Sequence, residues 1–322
     1  MTAPAAWATR ATRVRRHLLI WNPAAGTKAG LPTNVTSEAE LRRAVGTAGI
    51  EAELFVGKTE EETRERVRAA VRDGVDVVVA AGGDGTAGLV AEIVIGTSTA
   101  LGLLPLGSAM NIGRSLGIPR DLASAAQVLA SGDIVRIDVG RVADELFFEI
   151  VSIGINAAVL AKAHRIAEGD YGSAVGLVRA LVTYRPATMT LEMDSGTVRT
   201  GALMIAVANA PFTGIGLALA PDARLDDGRF DVAVFRHFSR WELVRHAVSI
   251  VAGRRRYSPK VRTFRTARVR ISAHRPLPAR ADAHDLGTTP LVLEVVPRAL
   301  RVVVPARPLR VPADEGGPAL GA

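Results

Sequence analysis

Hydrophobic and polar positions along this chain fall into two successive patterns. Up to about residue 132, short apolar runs alternate with stretches whose apolar positions recur every three or four residues. His17–Trp21, Glu51–Val56, Val75–Ala80 and Leu101–Leu104 read as strands. Between them, Ser37 opens a helix with Leu41, Ala44, Val45 and Ala48 on one face, closed by Gly49. Thr59 and Glu62 form a capping box for a second helix ending near Asp73 and Gly74. Ala87–Ile95 forms a third, and Asp121 caps a fourth that runs to Leu129 before Ser131 and Gly132. Strands that alternate with helices predict a parallel sheet covered on both faces. Ligands of such sheets sit at the carboxyl ends of the strands, where Asn22, Gly82 and Gly107 fall.

After residue 132 the period shortens to two. Ile134–Val142 and Leu146–Ile153 read as a hairpin around Ala143, Asp144 and Glu145. Two helices, Ile155–Ala167 and Gly172–Thr183, are followed by strands at Thr188–Met193, Val198–Val207, Arg229–Phe235, Val261–Ile271 and Leu291–Val296, with an amphipathic helix at Trp241–Val251. Many strands with turn signals predict a β-sandwich-like second domain. The fold class is therefore α/β: a Rossmann-like parallel-sheet nucleotide domain over 15–132, rejoined by about 299–306 through the apolar run Arg301–Val304, and a β-rich domain over 133–298. Residues 1–14 and 307–322 read as tails.

The chemistry concentrates where the apolar run Val77–Ala81 meets Gly82, Gly83, Asp84, Gly85 and Thr86. Glycines allow a sharp turn and close approach of a ligand. A strand, a glycine turn and a helix start bring backbone N–H groups and the helix dipole to an anion, usually phosphate. Asp84 adds a carboxylate suited to Mg2+ or to a proton. Gly83 to Gly88 also spell a dinucleotide fingerprint, yet no acidic residue follows about 20 positions on, at the end of the next strand. A Walker Gly-Lys-Ser/Thr is absent too. A plain tight turn stays open as the alternative. Asn22-Pro23-Ala24-Ala25-Gly26 reads either as a loop or as a second phosphate-facing turn at the same sheet edge, running into a small, polar, flexible stretch to Thr36.

Composition narrows the partners. Lys+Arg 40 against Asp+Glu 32 gives a net charge of +8, which suits an anionic ligand or an acidic lipid surface. Aromatic residues make up 4% of the chain, too few for a base-stacking platform, so nucleic acid is disfavoured. The absence of cysteine excludes disulfides and thiolate zinc sites. No apolar stretch reaches the length of a membrane span or a signal-peptide core, so a cytoplasmic protein is expected.

Two further constellations carry alternatives. Pro221-Asp222-Ala223-Arg224-Leu225-Asp226-Asp227-Gly228-Arg229 is either a cation-holding acidic turn or an ordinary polar β-turn. Asp282-Ala283-His284-Asp285 is either a general base between orienting acids or a surface hairpin with a spare histidine.

Taken in order, these motifs resemble the diacylglycerol kinase catalytic-domain family of bacterial lipid kinases and their sphingosine kinase cousins. The stretches that match are Asn22–Gly26, Gly82–Thr86, Leu104-Pro105-Leu106-Gly107-Ser108, Arg114–Pro119, Ser152-Ile153-Gly154, Ala220–Ala223, Asp227-Gly228 and Gly287-x-Thr289-Pro290. The resemblance spans residues 17–305 and implies ATP-dependent phosphorylation of a lipid hydroxyl, diacylglycerol-like, with ATP and Mg2+ as cofactors. By resemblance ATP is held by Asn22, Pro23, Ala24, Ala25, Gly26, Thr59, Gly82, Gly83, Asp84, Gly85, Thr86, Gly88 and Ser108. A structural Mg2+ is held by Asp227 with the Arg224 and Arg229 carbonyls. Catalysis falls to Asp84, Asp282 and His284. The chain departs from the family at two places. His284 stands where the family has the glutamate that accepts the proton, and Asn111 where it favours aspartate. An NAD kinase-like enzyme and a catalytically impaired nucleotide- or lipid-binding relative stay open as alternatives. A peripheral attachment to anionic membrane is expected, and a homodimer is allowed.

Overall fold

A computed structural model describes residues 15–25, 27–28, 31–32, 36–107, 109–155, 157, 184–213, 219–236, 242, 261–282 and 284–306. The three helices expected over 155–167, 172–183 and 241–251 lie outside the described residues, apart from Ile155, Ala157 and Glu242.

The chain opens with β1 (His17–Trp21). Where a flexible stretch was expected, β2 (Thr27–Lys28) and β3 (Leu31–Pro32) form a short antiparallel pair. Next come α1 (Glu38–Thr47), β4 (Ala52–Phe55), α2 (Glu60–Arg72), β5 (Val77–Gly82), α3 (Asp84–Val94), β6 (Ala100–Pro105), α4 (Asn111–Ser115) and α5 (Leu122–Ser131). The parallel strands lie in the order β4, β1, β5, β6. Every residue of β5 and β6 is buried, as expected of central strands covered on both faces.

Capping residues start the helices where the sequence places them, with one difference in detail. Ser37 and Glu40 form a reciprocal capping box on α1. On α2, Thr59 accepts from the Glu62 N–H, but the Glu62 carboxylate takes the N–H of Lys58 rather than that of Thr59. Helix α3 starts three residues before the expected Ala87. Gly83 is extended, its carbonyl accepts the Ala87 N–H, and Asp84 and Gly85 already belong to the first turn.

The second half continues with β7 (Asp133–Val142), β8 (Glu145–Phe147), β9 (Ile150–Gly154), β10 (Ala187–Met193), β11 (Gly196–Ala202), β12 (Met204–Ala208), β13 (Phe230–Phe235), β14 (Val261–Thr266), β15 (Arg268–Ala273), β16 (Pro278–Ala281), β17 (His284–Thr288) and β18 (Leu291–Val304). Three runs expected as single strands are each two. Leu146–Ile153 breaks at Phe148–Glu149, Val198–Val207 at Leu203, and Val261–Ile271 at Ala267. At each break the chain leaves one sheet for the other, so the hydrophobic run continues while the strand does not. The opposite holds at the end, where Leu291–Val296 and Arg301–Val304 are one strand.

The result is two packed sheets. The second, ordered β14, β13, β12, β9, β16, β17, is antiparallel. Its Val151, Ile153, Ile205, Val207, Phe230 and Val232 interleave with Met189, Leu191, Val269, Ile271 and Leu293 of the other sheet. Burying each such side chain contributes roughly 1.5–3 kcal/mol. Strand β18 joins the halves: Leu291–Glu294 pairs antiparallel with β15, and Val302 pairs parallel with Leu101 of β6. Leu300, Val302 and Val303 belong to the core of the parallel sheet. Among the described residues no helix is long and apolar enough to cross a membrane.

Candidate active site

The carboxyl ends of β1, β5 and β6 meet as the spacing predicts, and backbone bonds fasten them together. Asn22 donates its N–H to Ala81 O at 3.0 Å, while its Oδ1 accepts the Ala24 N–H at 3.0 Å. Its Nδ2 donates to Thr86 Oγ1 at 3.4 Å, which ties the Asn-Pro turn to α3. Leu106 and Gly107 both donate to Gly82 O.

The glycines divide into two kinds. A Cβ on Gly82 would lie 2.4 Å from Thr86 Oγ1, and one on Gly107 would lie 2.6 Å from the Cα of Gly83. Gly82 leaves room for the Thr86 side chain, and Gly107 lets two turns pack backbone to backbone. At Gly85 and Gly88 a Cβ would meet nothing within 4 Å, and both residues line a cleft of about 880 Å³. The open glycines, not the packed ones, are those a ligand can approach. Helix α3 has Gly83 as its N-cap and no side-chain cap, so its first-turn N–H groups stand at the cleft without a capping oxygen.

Asp84 lies in that turn and lines the cleft, but its carboxylate already has work. It accepts the Ile112 N–H at 3.4 Å and also the N–H groups of Met110 and Asn111, so it fastens α4 to α3. Burial raises its pKa, opposed by these donors and by the charge of Arg120.

The facing wall is built where the chain crosses between sheets. Asp282, at the β16–β17 turn with φ 45°, accepts the N–H groups of Phe148, Glu149 and Ile150 at 2.8, 3.1 and 2.9 Å. It thereby fixes the crossing between β8 and β9. The carbonyl of Glu149 accepts from Asn209 and Ala210, and Asn209 Nδ2 donates to Asp138 O and Phe148 O. The Glu149 side chain, 6% exposed, reaches the cleft and accepts from Asn111 Nδ2 at 3.0 Å and from the Thr213 hydroxyl. Burial, then the negative charges of Asp282 and Asp84, push its carboxyl up to about 9. Burial pushes Asp282 upward as well, opposed by its three backbone donors.

Of the residues expected to act, Asn22, Thr59, Asp84, Gly85, Thr86, Gly88, Asp282 and His284 line this one cleft. His284 is exposed at its edge, in the β16–β17 hairpin weighed as an alternative. Pro23, Ala24 and Ala25 form the adjoining turn, and Gly82 and Gly83 lie behind the lining. Gly26 and Ser108 lie outside the described residues.

The acidic turn is elsewhere. Arg265 pairs with Asp227, whose other oxygen accepts the Arg229 N–H at 3.0 Å, and Arg224 pairs with Asp226. Each carboxylate oxygen of Asp227 thus has one protein partner, and a Mg2+ held by Asp227 with the Arg224 and Arg229 carbonyls stays an expectation of the resemblance. Among the described residues no three His, Asp or Glu side chains are grouped to hold a metal.

Sequence reasoning missed Glu149, although a lone acid inside the apolar run from Leu146 to Ile153 is a visible signal. It also missed Arg64, which bridges Glu60 of α2 and Glu92 of α3 at 2.9 and 3.0 Å along the same cleft.

Comparison with known proteins bears on both halves of the chain. Residues 16–142 match the diacylglycerol kinase catalytic domain, and residues 149–304 match the YegS C-terminal NAD kinase beta sandwich-like domain. The unmatched residues between them include the crossing at Phe148. A diacylglycerol kinase of Mycobacterium tuberculosis (strain ATCC 25618 / H37Rv) is 26% identical over 309 residues, covering 92% of this chain and 98% of that protein. A protein of Klebsiella pneumoniae (strain 342) named "Probable lipid kinase YegS-like" is 28% identical over 278 residues, covering 84% and 92%. The crystal structure of a diacylglycerol kinase from Bacillus anthracis str. Sterne superposes with a TM-score of 0.70 at 17% identity, covering 91% of this chain and 98% of that one, and so shares the fold. With two family models that together span most of its length and relatives named as lipid and diacylglycerol kinases, this chain belongs to the diacylglycerol kinase catalytic-domain family and is a lipid kinase.

Proposed function

We propose that the enzyme transfers the γ-phosphoryl group of ATP, taken as its magnesium complex, to the hydroxyl of a diacylglycerol-like lipid. The observation that carries this reading is the uncapped first turn of α3, with open space at Gly85 and Gly88, facing a second wall that bears carboxyl groups. A polyanion suits that turn, since N–H groups and the helix dipole favour negative charge there. Thr59, Thr63 and Leu89 line the cleft where the nucleoside would extend, and Leu146, Phe148 and Ile150 offer apolar surface for the acceptor. Relatives named as diacylglycerol kinases favour ATP and diacylglycerol as the pair.

Magnesium fits this scheme as part of the nucleotide substrate. Neither Asp227 nor Asp84 offers a carboxylate uncommitted to the protein. The chain's own contribution is positioning and charge complementarity, which supply most of the rate in phosphoryl transfer. The net charge of +8 would hold the enzyme peripherally on anionic membrane at its cytoplasmic face.

Labelled ATP and Mg2+ with mixed micelles of diacylglycerol, ceramide, sphingosine or polyprenol test the reading. Label is expected in the diacylglycerol fraction. Label in none of the lipids, or label in NAD offered in their place, overturns it.

A further inference from the structure

We propose that Glu149 is the proton acceptor of the reaction, the group that takes the proton of the lipid hydroxyl as its oxygen attacks the γ-phosphorus. This inference rests on the lipid kinase reading given above.

Three carboxyl groups reach the inner part of the cleft, and their bonding separates them. The oxygens of Asp84 are spent on the backbone N–H groups at the start of α4. Those of Asp282 are spent on three N–H groups of the β8–β9 crossing. Glu149 accepts instead from two neutral side chains, the Asn111 amide at 3.0 Å and the Thr213 hydroxyl. Its carboxyl is therefore not what fastens a backbone segment in place, as those of Asp84 and Asp282 are.

The backbone of Glu149 is nevertheless among the best anchored in the cleft. Its N–H is held by Asp282, and its carbonyl receives two N–H donors, from Asn209 and Ala210. A side chain not spent on fastening, carried on a fixed backbone, is what proton transfer between positioned groups needs.

Its surroundings point the same way. The charges acting on it most strongly are those of Asp282 and Asp84, both negative, and Arg280 and His284 line the cleft beside it. Keeping a carboxyl in a low-dielectric site beside two acids costs stability, and such groups cluster at functional sites. The same environment makes its ionised form a strong base, since burial raises its proton affinity.

In the step itself, the lipid O–H bond breaks and its proton passes to a Glu149 carboxylate oxygen. The hydroxyl oxygen forms the new bond to γ-phosphorus. The bond from γ-phosphorus to the β,γ-bridging oxygen breaks, and ADP leaves with that electron pair. The proton on Glu149 then returns to solvent.

The test compares wild type, Glu149→Gln and Glu149→Asp by kcat, KM for ATP and pH dependence, with His284→Ala alongside. A general base contributes on the order of 10²–10⁴-fold. Glu149→Gln is therefore expected to lower kcat at least about 100-fold while KM for ATP stays within about threefold. Wild-type kcat is expected to rise with pH, and this rise should vanish in Glu149→Gln and return, at lower kcat, in Glu149→Asp. Should Glu149→Gln fold poorly, the Asp variant, which keeps the carboxylate, carries the comparison through its shifted pH limb. Glu149→Gln with full kcat and an unchanged pH limb, or that limb lost only in His284→Ala, overturns the assignment and leaves the kinase reading standing. A wild type that labels no lipid overturns both.

Discussion

The two walls of the cleft are assembled in opposite ways. The nucleotide-side wall is centred on one contiguous stretch, β5, the turn at Gly83 and the start of α3, to which Asn22 adds a single side-chain bond at Thr86. The facing wall is long-range. Asp282 holds Phe148, Glu149 and Ile150 from more than 130 positions away along the chain. Nothing in the neighbourhood of Glu149 along the chain positions its side chain. A local wall can be altered one residue at a time, whereas the facing wall depends on a few acceptors that each hold several donors.

The largest expected effect follows from that dependence. Asp282→Ala leaves three N–H groups of a buried crossing without their acceptor. At the usual cost of an unmet buried donor it should destabilise the protein by about 3 kcal/mol or more. A lower denaturation midpoint measures this, and an unchanged midpoint would show that the crossing is held by other means.

Next is Gly107→Ala. Its Cβ would sit 2.6 Å from the Cα of Gly83 and 3.1 Å from the sulfur of Met110. Backbone cannot yield as a side chain end can, so a loss of roughly 1–3 kcal/mol and weakened ATP binding are expected. Calorimetric unfolding and ATP titration report both.

Gly85→Ala sharpens the contrast, because its Cβ meets open space. In a helix interior this change stabilises by about 0.5–1 kcal/mol, and in the first turn, where Gly85 lies, a smaller gain is expected. If the space is where phosphate approaches, KM for ATP should rise as thermal stability increases. A stabilised variant with unaltered KM would place the phosphates elsewhere.

The smallest effect is a pH dependence in β1. Burial lowers the pKa of His17, so the folded state disfavours its charged form. The unfolded chain then binds the proton first as pH falls below about 6.5. This contribution to stability is present above that pH and is lost as pH drops toward the folded-state value. His17→Gln should flatten that part of the stability curve.

The same contrast explains what the sequence could and could not show. Parallel strands, caps at Ser37, Thr59 and Asp121, and the glycine turn are set by residues within a few positions of one another, so they are legible. The three strands that change sheets at Phe148–Glu149, Leu203 and Ala267 are not. Their hydrophobic runs pass through the corner unbroken, and only the partner strands determine where pairing switches. Thr86 and Asp84 are visible as chemistry, but the use of Asp84 as a fastener for α4 depends on a loop more than 20 residues on. The pairing of the acidic turn at Asp227 was hidden for a related reason: Arg265, its partner, lies on β14.

The account's central claim is that nucleotide phosphates rest at the first turn of α3, across the cleft from Glu149. A crystal structure with a non-hydrolysable ATP analogue tests it most directly. The account predicts the phosphates on the N–H groups at Gly85 and Thr86, with the terminal phosphorus turned toward Glu149. An analogue bound away from that turn, or with its terminal phosphate pointing out of the cleft, would contradict it.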